Sequence, residues 1–299
     1  MEKTWEIKGR TLSAKPFLLM GVLNITPDSF YAGSRYPDFE KAVEHAGQMI
    51  REGADIIDIG GESTRPGSEK VSPDKEIERV VPLIKILSKA PGVTISVDTY
   101  KHEVAEKAIE AGASIVNDIS AFSMDNELPD VVKDSGCGYV LMHMQGTPAD
   151  MQKNPFYEDV VPEVYGFLEE KLKYLQDKGI SASRVVVDPG IGFGKRLEDN
   201  LALLNNLDRF KKLGRPLLIG TSRKSFIGKL IKDAPAEERL EGSIASAVIA
   251  YARGASIFRI HDVKETRRAL SVSSSILSAV EKGRQEYREG KCIPWREVL

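Results

Sequence analysis

Eight short apolar runs recur along the chain, and the longer segments between them often have helical spacing. The runs are nearly continuous in Val, Ile and Leu, which is typical of parallel strands buried on both faces. In one intervening segment, Leu168, Leu172 and Leu175 fall on a single helical face. We predict strands at Phe17–Val22, Ile56–Ile59, Thr94–Val97, Ser114–Val116, Tyr139–Met142, Val185–Val187, Leu217–Ile219 and Ile257–Arg259.

Residues typical of helix ends support the same division. Ser72 before Pro73 indicates a helix start, and Asp262 with Glu265 predicts a capping box. Glycines follow five helical stretches, as they commonly do where a helix ends: Gly53, Gly112, Gly179, Gly214 and Gly254. Eight strand–helix units in 299 residues predict an α/β fold, a single-domain (β/α)8 TIM barrel. The alternative, a doubly wound open sheet, would be unusually wide and lacks the dinucleotide glycine pattern.

The barrel is predicted to occupy residues 15–288. Residues 1–14 are predicted to form an N-terminal hairpin or arm that turns at Lys8-Gly9-Arg10 and is placed to close the barrel floor. Residues 289–299 are predicted to be a C-terminal tail.

Composition narrows the class of protein. Hydrophobic residues make up 41% and charged residues 29% of the chain, which is typical of a globular protein with a sizeable core. A net charge of −2 gives no general attraction to nucleic acid or membranes, so we predict neither partner. No signal-peptide stretch or membrane-spanning run is apparent. Cys137 and Cys292 fit neither a disulfide framework nor a zinc site, which predicts a cytoplasmic protein with reduced thiols.

Polar residues follow the apolar part of each predicted strand. In a (β/α)8 barrel these positions meet at one mouth, where such enzymes place their sites. Acids and amides come from the third, fourth and sixth strands, and positive charge from the last two strands and Arg65. The acidic half suits a ligand rich in N–H donors, and the basic half suits an anion. We therefore predict a nitrogen heterocycle that carries an anionic group.

The stretch VVVDPGIGFGK, residues 185–195, contains glycines before a lysine but fits neither standard phosphate motif. A P-loop needs Ser or Thr after the lysine, and Arg196 follows Lys195. The dinucleotide fingerprint fails because Gly194 comes one residue too early. The glycines are instead predicted to let the loop after Asp188 turn tightly and approach a flat ring. The role of Lys195 stays open.

Seven motifs follow one another from Met20 to Val263: MGVLNITPDSF, DIGGESTRPG, SVDT, NDIS, DPGIGFGK, GTSRKSFIG and RIHDV. In this order they resemble the motifs of dihydropteroate synthases, the pterin-binding enzymes of folate synthesis. The resemblance covers almost the whole chain and implies a (β/α)8 barrel, in agreement with the pattern of apolar runs. It also implies a transferase that joins 6-hydroxymethyl-7,8-dihydropterin pyrophosphate to p-aminobenzoate and releases pyrophosphate, with Mg²⁺.

The resemblance assigns the pterin ring to Asp188, Asp98 and Asn117. A carboxylate such as Asp188 can accept hydrogen bonds from the pterin amino group and the adjacent ring N–H. The amide of Asn117 offers both a donor and an acceptor. The alternative for Asp188 and Asn117 is a turn residue at a strand end. The resemblance also implies that Met142 forms a pocket wall. Gly192 is one of the glycines predicted to approach the ring, and Phe193 is predicted to cover the ring or the aminobenzoate passage.

Four residues are expected to act on the reacting groups: Arg65, Lys224, Arg259 and His261. Arg259 and His261 are two positions apart, on one side of an extended chain, and precede a predicted helix start, which suits a diphosphate. Lys224 is assigned to the pterin carbonyl or a ring nitrogen, with a solvated surface lysine as the alternative. Arg65 is placed to receive the aminobenzoate carboxylate or the diphosphate.

Three further assignments also come from the resemblance. Thr64 and Ser225 match substrate contacts, for which ordinary surface-loop positions are the alternative. Asn24 matches a Mg²⁺ contact, and Mg²⁺ is commonly held by few protein groups together with substrate phosphates and water. The resemblance also implies a homodimer, formed through the helices at Pro235–Arg253 and Val263–Arg288, and a sulfonamide target whose sensitivity depends on Phe30 and Arg65.

Two alternatives to a synthase stay open. A pterin-binding methyltransferase that acts on methyltetrahydrofolate has a similar barrel, but a methyl transfer needs no diphosphate site. A non-catalytic pterin-binding paralogue is suggested by Ala32, which stands where the family often has a second acid in the first loop. The roles of Asp28 and His143 are likewise open.

Overall fold

A computed structural model describes residues 4–25, 37–64 and 67–289, with the backbone alone at 37–38 and 280–288. Strands β1 (Thr4–Ile7) and β2 (Arg10–Ser13) form an antiparallel hairpin. Eight parallel strands follow: β3 (Leu18–Asn24), β4 (Ile56–Gly60), β5 (Thr94–Asp98), β6 (Ile115–Asp118), β7 (Gly138–Met142), β8 (Val185–Asp188), β9 (Leu218–Ile219) and β10 (Ile257–Ile260). They pair in the order β8-β7-β6-β5-β4-β3-β10-β9, and a parallel bridge between Val187 and Leu217 joins the two ends. The predicted (β/α)8 barrel is confirmed.

The helices pack around this barrel, and no helix in the described ranges is long and apolar enough to cross a membrane. The described residues form ten α-helices between and after the strands: α1 (Pro37–Arg51), α2 (Pro73–Leu87), α3 (His102–Ala111), α4 (Leu128–Ser135), α5 (Val160–Asp177), α6 (Leu197–Asn205), α7 (Leu207–Phe210), α8 (Ser225–Leu230), α9 (Leu240–Ala252) and α10 (Val263–Arg288). Ser72 caps α2 as predicted, since its hydroxyl accepts from the peptide N–H of Lys75 at 3.5 Å. The carboxylate that was predicted to cap α10, Asp262, pairs instead with Arg223 at 2.5 Å.

Side chains alternate between the barrel interior and the surrounding helices, as the two-residue period of a strand requires. On β4, Ile56 belongs to the interior layer, whereas Ile57 packs toward the helices. The lower interior layer is mostly apolar, with Thr94 of β5 beside Ile56. Its apolar members are Leu18, Met20, Ile56, Ile115, Val140, Val186, Leu218 and Ile257. The same alternation, continued toward the carboxyl ends of the strands, brings polar residues into the interior at the mouth.

The N-terminal hairpin covers the floor of the barrel. Trp5 and Ile7 are fully buried against the lower layer, and Nε1 of Trp5 donates to the Arg184 carbonyl at 2.8 Å. Gly138 leaves room for them, because a β-carbon there would lie 2.4 Å from Cγ2 of Ile7. The domain limits proposed from the sequence stay a prediction, and residues 290–299 lie outside the described part of the chain.

Candidate active site

A cleft opens at the carboxyl ends of the barrel strands, where the sequence placed the site. Its lining combines acids and amides with cations and apolar side chains: Val22, Thr64, Asp98, Asn117, Ile119, Met142, Asp188, Ile191, Phe193, Gly220, Ser222, Lys224, Arg259 and His261. Nine residues predicted to bind substrate are among them. Asp98, Asn117, Met142 and Asp188 share the inward side of adjacent strands, because each strand contributes its last interior position.

A buried network joins both halves of the cleft. Arg259 donates to Asp98 through one terminal nitrogen at 2.6 Å and to Asp58 through Nε at 2.7 Å. The same Asp58 oxygen accepts from Nδ2 of Asn117 at 2.9 Å. Asp58 is fully buried and Asp98 and Asn117 almost so. The basic side of the cleft is therefore held in place by the groups on its acidic side.

Burial sets the protonation behaviour of these groups. It raises the pKa of Asp98 to about 7, although the Arg259 guanidinium opposes the shift. It also raises the pKa of Asp188 to about 6, against the Gly190 peptide N–H and nearby lysines. Burial disfavours the charge on Arg259, but Asp58 and Asp98 outweigh it, so the pKa of the guanidinium is raised and the cation persists. Carboxylates that titrate near neutrality in a cleft are typical of functional sites.

Lys224 stands between the acidic and basic halves. Its Nζ lies 4.0 Å from the centre of the Phe193 ring, which suits a cation–π contact. A β-carbon at Gly192 would lie 3.1 Å from Cδ of Lys224, so the glycine makes room for the lysine stem. Burial, and then the charge of Arg259, lowers the pKa of Lys224 to about 8. Lys224 thus faces the cleft and is not the solvated lysine weighed as the alternative.

His261 is held as a neutral imidazole. Burial, followed by the charges of Arg259 and Arg223, lowers the pKa of His261 to about 3. The Ser222 hydroxyl oxygen accepts from the His261 peptide N–H at 3.2 Å and lies 3.0 Å from Nδ1. The Ser222 hydroxyl can still donate its proton, and in the neutral tautomer in which it donates to Nδ1, the imidazole hydrogen lies on Nε2. His261 can therefore offer an N–H to an anion, whereas the sequence suggested a positive charge.

Lys195 is buried beneath the glycine loop, outside the lining of the cleft. Its Nζ donates to the Phe193 carbonyl at 2.9 Å and lies 2.9 Å from Nδ1 of His143. Burial lowers the pKa of Lys195 to about 7 and that of His143 to about 2, so His143 accepts the hydrogen bond as a neutral ring. These two residues, left open by the sequence, tie the end of β7 to the loop that carries Phe193.

Two glycines of the same loop allow the backbone to lie against the β7 loop. A β-carbon at Gly190 would lie 1.9 Å from the His143 carbonyl oxygen, and one at Gly194 would lie 2.3 Å from the Gln145 carbonyl oxygen. Both residues have left-handed backbones, with φ of 70° and 60°. The glycines therefore shape the loop that follows Asp188, as predicted, by permitting a close backbone approach.

The Gly190→Ala variant is expected to lower the free energy of unfolding by more than about 2 kcal/mol, because a backbone oxygen must move. Gly214 provides a matched control, since its φ of 71° is nearly the same and nothing lies within 4 Å of a β-carbon there. Gly214→Ala is expected to cost only the left-handed strain, about 1–2 kcal/mol. Urea unfolding of both variants measures the difference, and equal losses would contradict the close approach at Gly190.

The loop that carries Thr64 is anchored by a buried lysine. Nζ of Lys101 lies 2.5 Å from Glu62, contacts Glu76, and donates to the Val71 carbonyl at 2.8 Å. The peptide N–H of Val71 donates to Glu62 at 3.0 Å. Both ends of the segment from 62 to 71 are thus tied to one ammonium group, which holds Thr64 at the cleft.

The other predicted residues differ in position. Asn24 ends β3 beside Gly60, where a β-carbon would lie 3.0 Å from its amide oxygen and 3.6 Å from Asp98 Oδ2. Ser225 begins α8 and is exposed, outside the cleft lining. Four loop residues to which the sequence drew attention lie outside the described residues: Asp28, Phe30, Ala32 and Arg65.

The sequence did not indicate Asp58 or Ser222 as site residues. Asp58 lies inside an apolar strand and not at its end, so a search of strand ends passes over it. The sequence did contain a signal for Asp58, since an ionisable residue in an otherwise apolar, buried strand is uncommon unless it has a partner. Ser222 has no comparable local signal, since its partner His261 is 39 residues away.

Comparisons with known proteins agree with this geometry. Residues 20–261 match the family described as pterin binding enzyme. The dihydropteroate synthases of Escherichia coli K12 and Bacillus subtilis 168 are each 45% identical to the chain, over 93% and 87% of it and 98% and 89% of their own lengths. This chain belongs to the dihydropteroate synthase family. A Xanthomonas albilineans dihydropteroate synthase solved with 4-aminobenzoic acid covers 93% of the chain and 99% of its own, with 42% identity and a TM-score of 0.86.

A second structure of a Xanthomonas albilineans dihydropteroate synthase, in complex with 7,8-dihydropteroate, has 39% identity and a TM-score of 0.83 over 92% of the chain and 98% of its own. The family, the barrel fold and the enzyme class predicted from the sequence are confirmed. The roles of individual residues and the Mg²⁺ site stay predictions for this member of the dihydropteroate synthase family.

Proposed function

We propose that the chain catalyses the condensation of 6-hydroxymethyl-7,8-dihydropterin pyrophosphate with p-aminobenzoate, giving 7,8-dihydropteroate and pyrophosphate. The observation that carries this proposal is the division of one cleft into two halves. Asp188, Asp98 and Asn117 face it with acceptor oxygens, while Arg259, Lys224 and the neutral His261 face it with donors. A pterin bearing a diphosphate has the complementary pattern, with N–H groups at one end and an anion at the other.

The reaction needs charge stabilisation more than proton transfer. As the bond between the pterin methylene carbon and the diphosphate oxygen breaks, negative charge collects on the leaving group and positive charge spreads into the electron-rich ring. Arg259 is fixed by two carboxylates before substrate arrives, and Nε2–H of His261 adds a neutral donor, so both are organised for the departing anion. The aromatic amine attacks the methylene carbon as a neutral nucleophile and then releases its proton.

We propose a Mg²⁺ site at Asn24. The fit rests on the space above Gly60, because a β-carbon there would lie 3.0 Å from the Asn24 amide oxygen, so the glycine leaves that oxygen room for a ligand. Oxygen ligands of this kind suit Mg²⁺, which takes its remaining ligands from phosphates and water. When bound, the ion would neutralise charge on the diphosphate.

Turnover with purified protein tests the proposed function and its alternatives. Pyrophosphate release that depends on both the dihydropterin pyrophosphate and p-aminobenzoate is expected. Methyl transfer from methyltetrahydrofolate without pyrophosphate release would favour the methyltransferase. Pterin binding without any turnover at high protein concentration would favour the non-catalytic paralogue.

Pterin affinity is expected to fall on acidification. Asp188 must be ionised to accept hydrogen bonds from the N–H groups of the ring. Below its pKa of about 6, the carboxyl group must first lose its proton, and this cost lowers the affinity for the pterin. Asp98, with a pKa of about 7, adds to the effect, whereas His261 stays neutral and Arg259 stays charged over this range. Lys224, with a pKa of about 8, loses charge only at the upper end of the range. Calorimetric titration from pH 5 to 8 is expected to show affinity rising with pH by up to about tenfold per unit for each of the two carboxyl groups. An Asp188→Asn variant that keeps the full pH dependence would contradict this assignment.

We propose that the protein forms a homodimer through α9 and α10. Ile249 on α9 and Val272 and Ile276 on α10 are 52–61% exposed, and the last two lie one turn apart on the same helical face. Exposed apolar side chains grouped in this way are typical of interaction surfaces. A dimer would remove them from water.

Ile276→Glu is expected to raise the dimer dissociation constant about a hundredfold or more, because a charge would be buried at the interface. Sedimentation velocity measures the change. Ile86→Glu on α2, at a residue that is 44% exposed, is the matched control and is expected to leave the association state unchanged. A dimer that survives Ile276→Glu would place the interface elsewhere.

We also propose that the protein is cytoplasmic. Cys137 is a buried free thiol, and burial raises its pKa, which disfavours the reactive thiolate. A reduced, inert thiol of this kind suits a reducing compartment.

A further inference from the structure

Asp58 lies beneath the cleft and contacts two of its side chains at once. Its Oδ2 accepts from Nδ2 of Asn117 at 2.9 Å and from Nε of Arg259 at 2.7 Å. The side chain is fully buried, and its Oδ1 has no hydrogen-bond partner among the described residues. An unpaired buried oxygen costs free energy, so its presence in the barrel calls for a functional explanation.

The contact with Asp58 determines which way the Asn117 amide points. A carboxylate can only accept hydrogen bonds, so the branch that faces Asp58 must be the –NH2 group. The carbonyl oxygen occupies the other branch, and one Nδ2 hydrogen is left for a ligand. Because Asn117 lines the cleft, a bound ring meets a fixed order of acceptor and donor. A flipped amide would press its oxygen against the Asp58 carboxylate.

We propose that Asp58 is a positioning residue that makes the site select a 2-amino pterin edge over its 2-oxo counterpart. This inference rests on the proposed function, since it concerns how the pterin ring is recognised. A 2-amino group beside an unprotonated ring nitrogen presents a donor followed by an acceptor, which matches the fixed Asn117 amide. A 2-oxo ring presents an acceptor followed by an N–H, which matches only the flipped amide.

Binding without turnover tests the proposal. The full chain is titrated calorimetrically with 6-hydroxymethylpterin and with 6-hydroxymethyllumazine, which carries oxygen in place of the 2-amino group. The wild type is expected to prefer the first ligand. Asp58→Leu, which removes the acceptor, is expected to reduce the ratio of the two affinities by about tenfold or more, since the amide is then free to turn.

The conservative variant separates positioning from charge. Asp58→Asn also loses the negative charge, but it can keep an acceptor oxygen where Oδ2 now lies, so it is expected to retain most of the selectivity. If both variants lose the same selectivity, or if both lose affinity for the two ligands by the same factor, Asp58 acts only through its charge or through the fold and the proposal is overturned.

A matched control separates the effect of removing a buried acid from the effect of removing the contact between Asp58 and Asn117. Asp118 is an equally buried acid that accepts from the peptide N–H groups of Ser120 and Phe122, outside the cleft lining. Asp118→Asn is expected to lower the melting temperature and leave the affinity ratio unchanged; a changed ratio would overturn the proposal.

If Asp58→Leu does not fold, the wild type and Asp58→Asn still test the proposal. A wild-type preference alone does not assign the selectivity to Asp58, because Asp188 also accepts from the 2-amino group, so the ratio that Asp58→Asn retains is the deciding measurement. A wild type that binds both rings equally overturns the proposal. Because neither titration needs turnover, loss of the predicted selectivity is distinguishable from a failure of the synthase activity, which pyrophosphate release measures separately.

Discussion

Arg259→Met is expected to lower kcat/KM by about a thousandfold or more, because the preorganised cation for the diphosphate is lost. The same change leaves Asp58 and Asp98 buried without their guanidinium partner. Removing one member of a buried ion pair typically costs about 3–5 kcal/mol of stability. We therefore expect activity and stability to fall together, as measured by pyrophosphate release and by urea unfolding.

Two further arginine variants test whether the losses are specific to the Arg259 guanidinium. Arg259→Lys keeps the charge but not the forked geometry that reaches both carboxylates, so it is expected to fall between the wild type and Arg259→Met. Arg209 on α7 is exposed, and Arg209→Met is expected to leave both measurements unchanged. If Arg259→Met retained full activity, the diphosphate would have to bind elsewhere.

Asp188→Asn is expected to change activity and stability in opposite directions. The amide would turn an N–H toward the pterin N–H groups, so kcat/KM is expected to fall by about a thousandfold, in keeping with the loss seen when buried polar groups are mismatched. Stability is expected to rise at pH 8. Because burial raises the Asp188 pKa to about 6, the unfolded carboxyl group ionises more readily than the folded one between pH 4 and 6. The ionised carboxylate therefore costs the fold on the order of 3 kcal/mol above pH 6.

The Asp118→Asn variant is expected to show the reverse pattern in the same measurements. Asp118 holds two peptide N–H groups and accepts from the Tyr139 hydroxyl at 2.7 Å, outside the cleft. Its replacement is expected to lower stability by about 1–3 kcal/mol and to spare kcat/KM. If Asp188→Asn behaved like Asp118→Asn, Asp188 would be a structural residue and the pterin assignment would be wrong.

The sequence predicted those parts of the site that depend on the pattern of residues close together in the chain. Continuous apolar strands separated by amphipathic helices predicted the barrel, and polar strand ends then predicted Asp98, Asn117, Asp188 and Arg259 at one mouth. The predicted strands stopped one residue before Asp98, Asn117 and Asp188 because a change from apolar to polar residues was taken as the strand end. In the structure Asp98 and Asp188 complete their strands, since a carboxyl group that faces the barrel interior need not interrupt the backbone ladder.

What the sequence could not predict depends on side chains that are distant along the chain. Arg259 meets Asp58 across 201 residues, and Lys195 meets His143 across 52. The neutral state of His261 arises from burial beside Arg259 and Arg223, which only the closed barrel brings together. For the same reason, the sequence left the role of Lys195 open, whereas its contacts in the structure support the loop that carries Phe193.

The hairpin on the barrel floor carries Trp5, whose fluorescence can report when the barrel has assembled. Trp5 reaches its partner Arg184 across 179 residues, so its environment forms only when the first and the later strands have assembled. Contacts of such high sequence separation are slow to form in folding chains. The emission of Trp5 should therefore follow the closing of the barrel as a whole, and report it separately from the helical signal that local segments produce early.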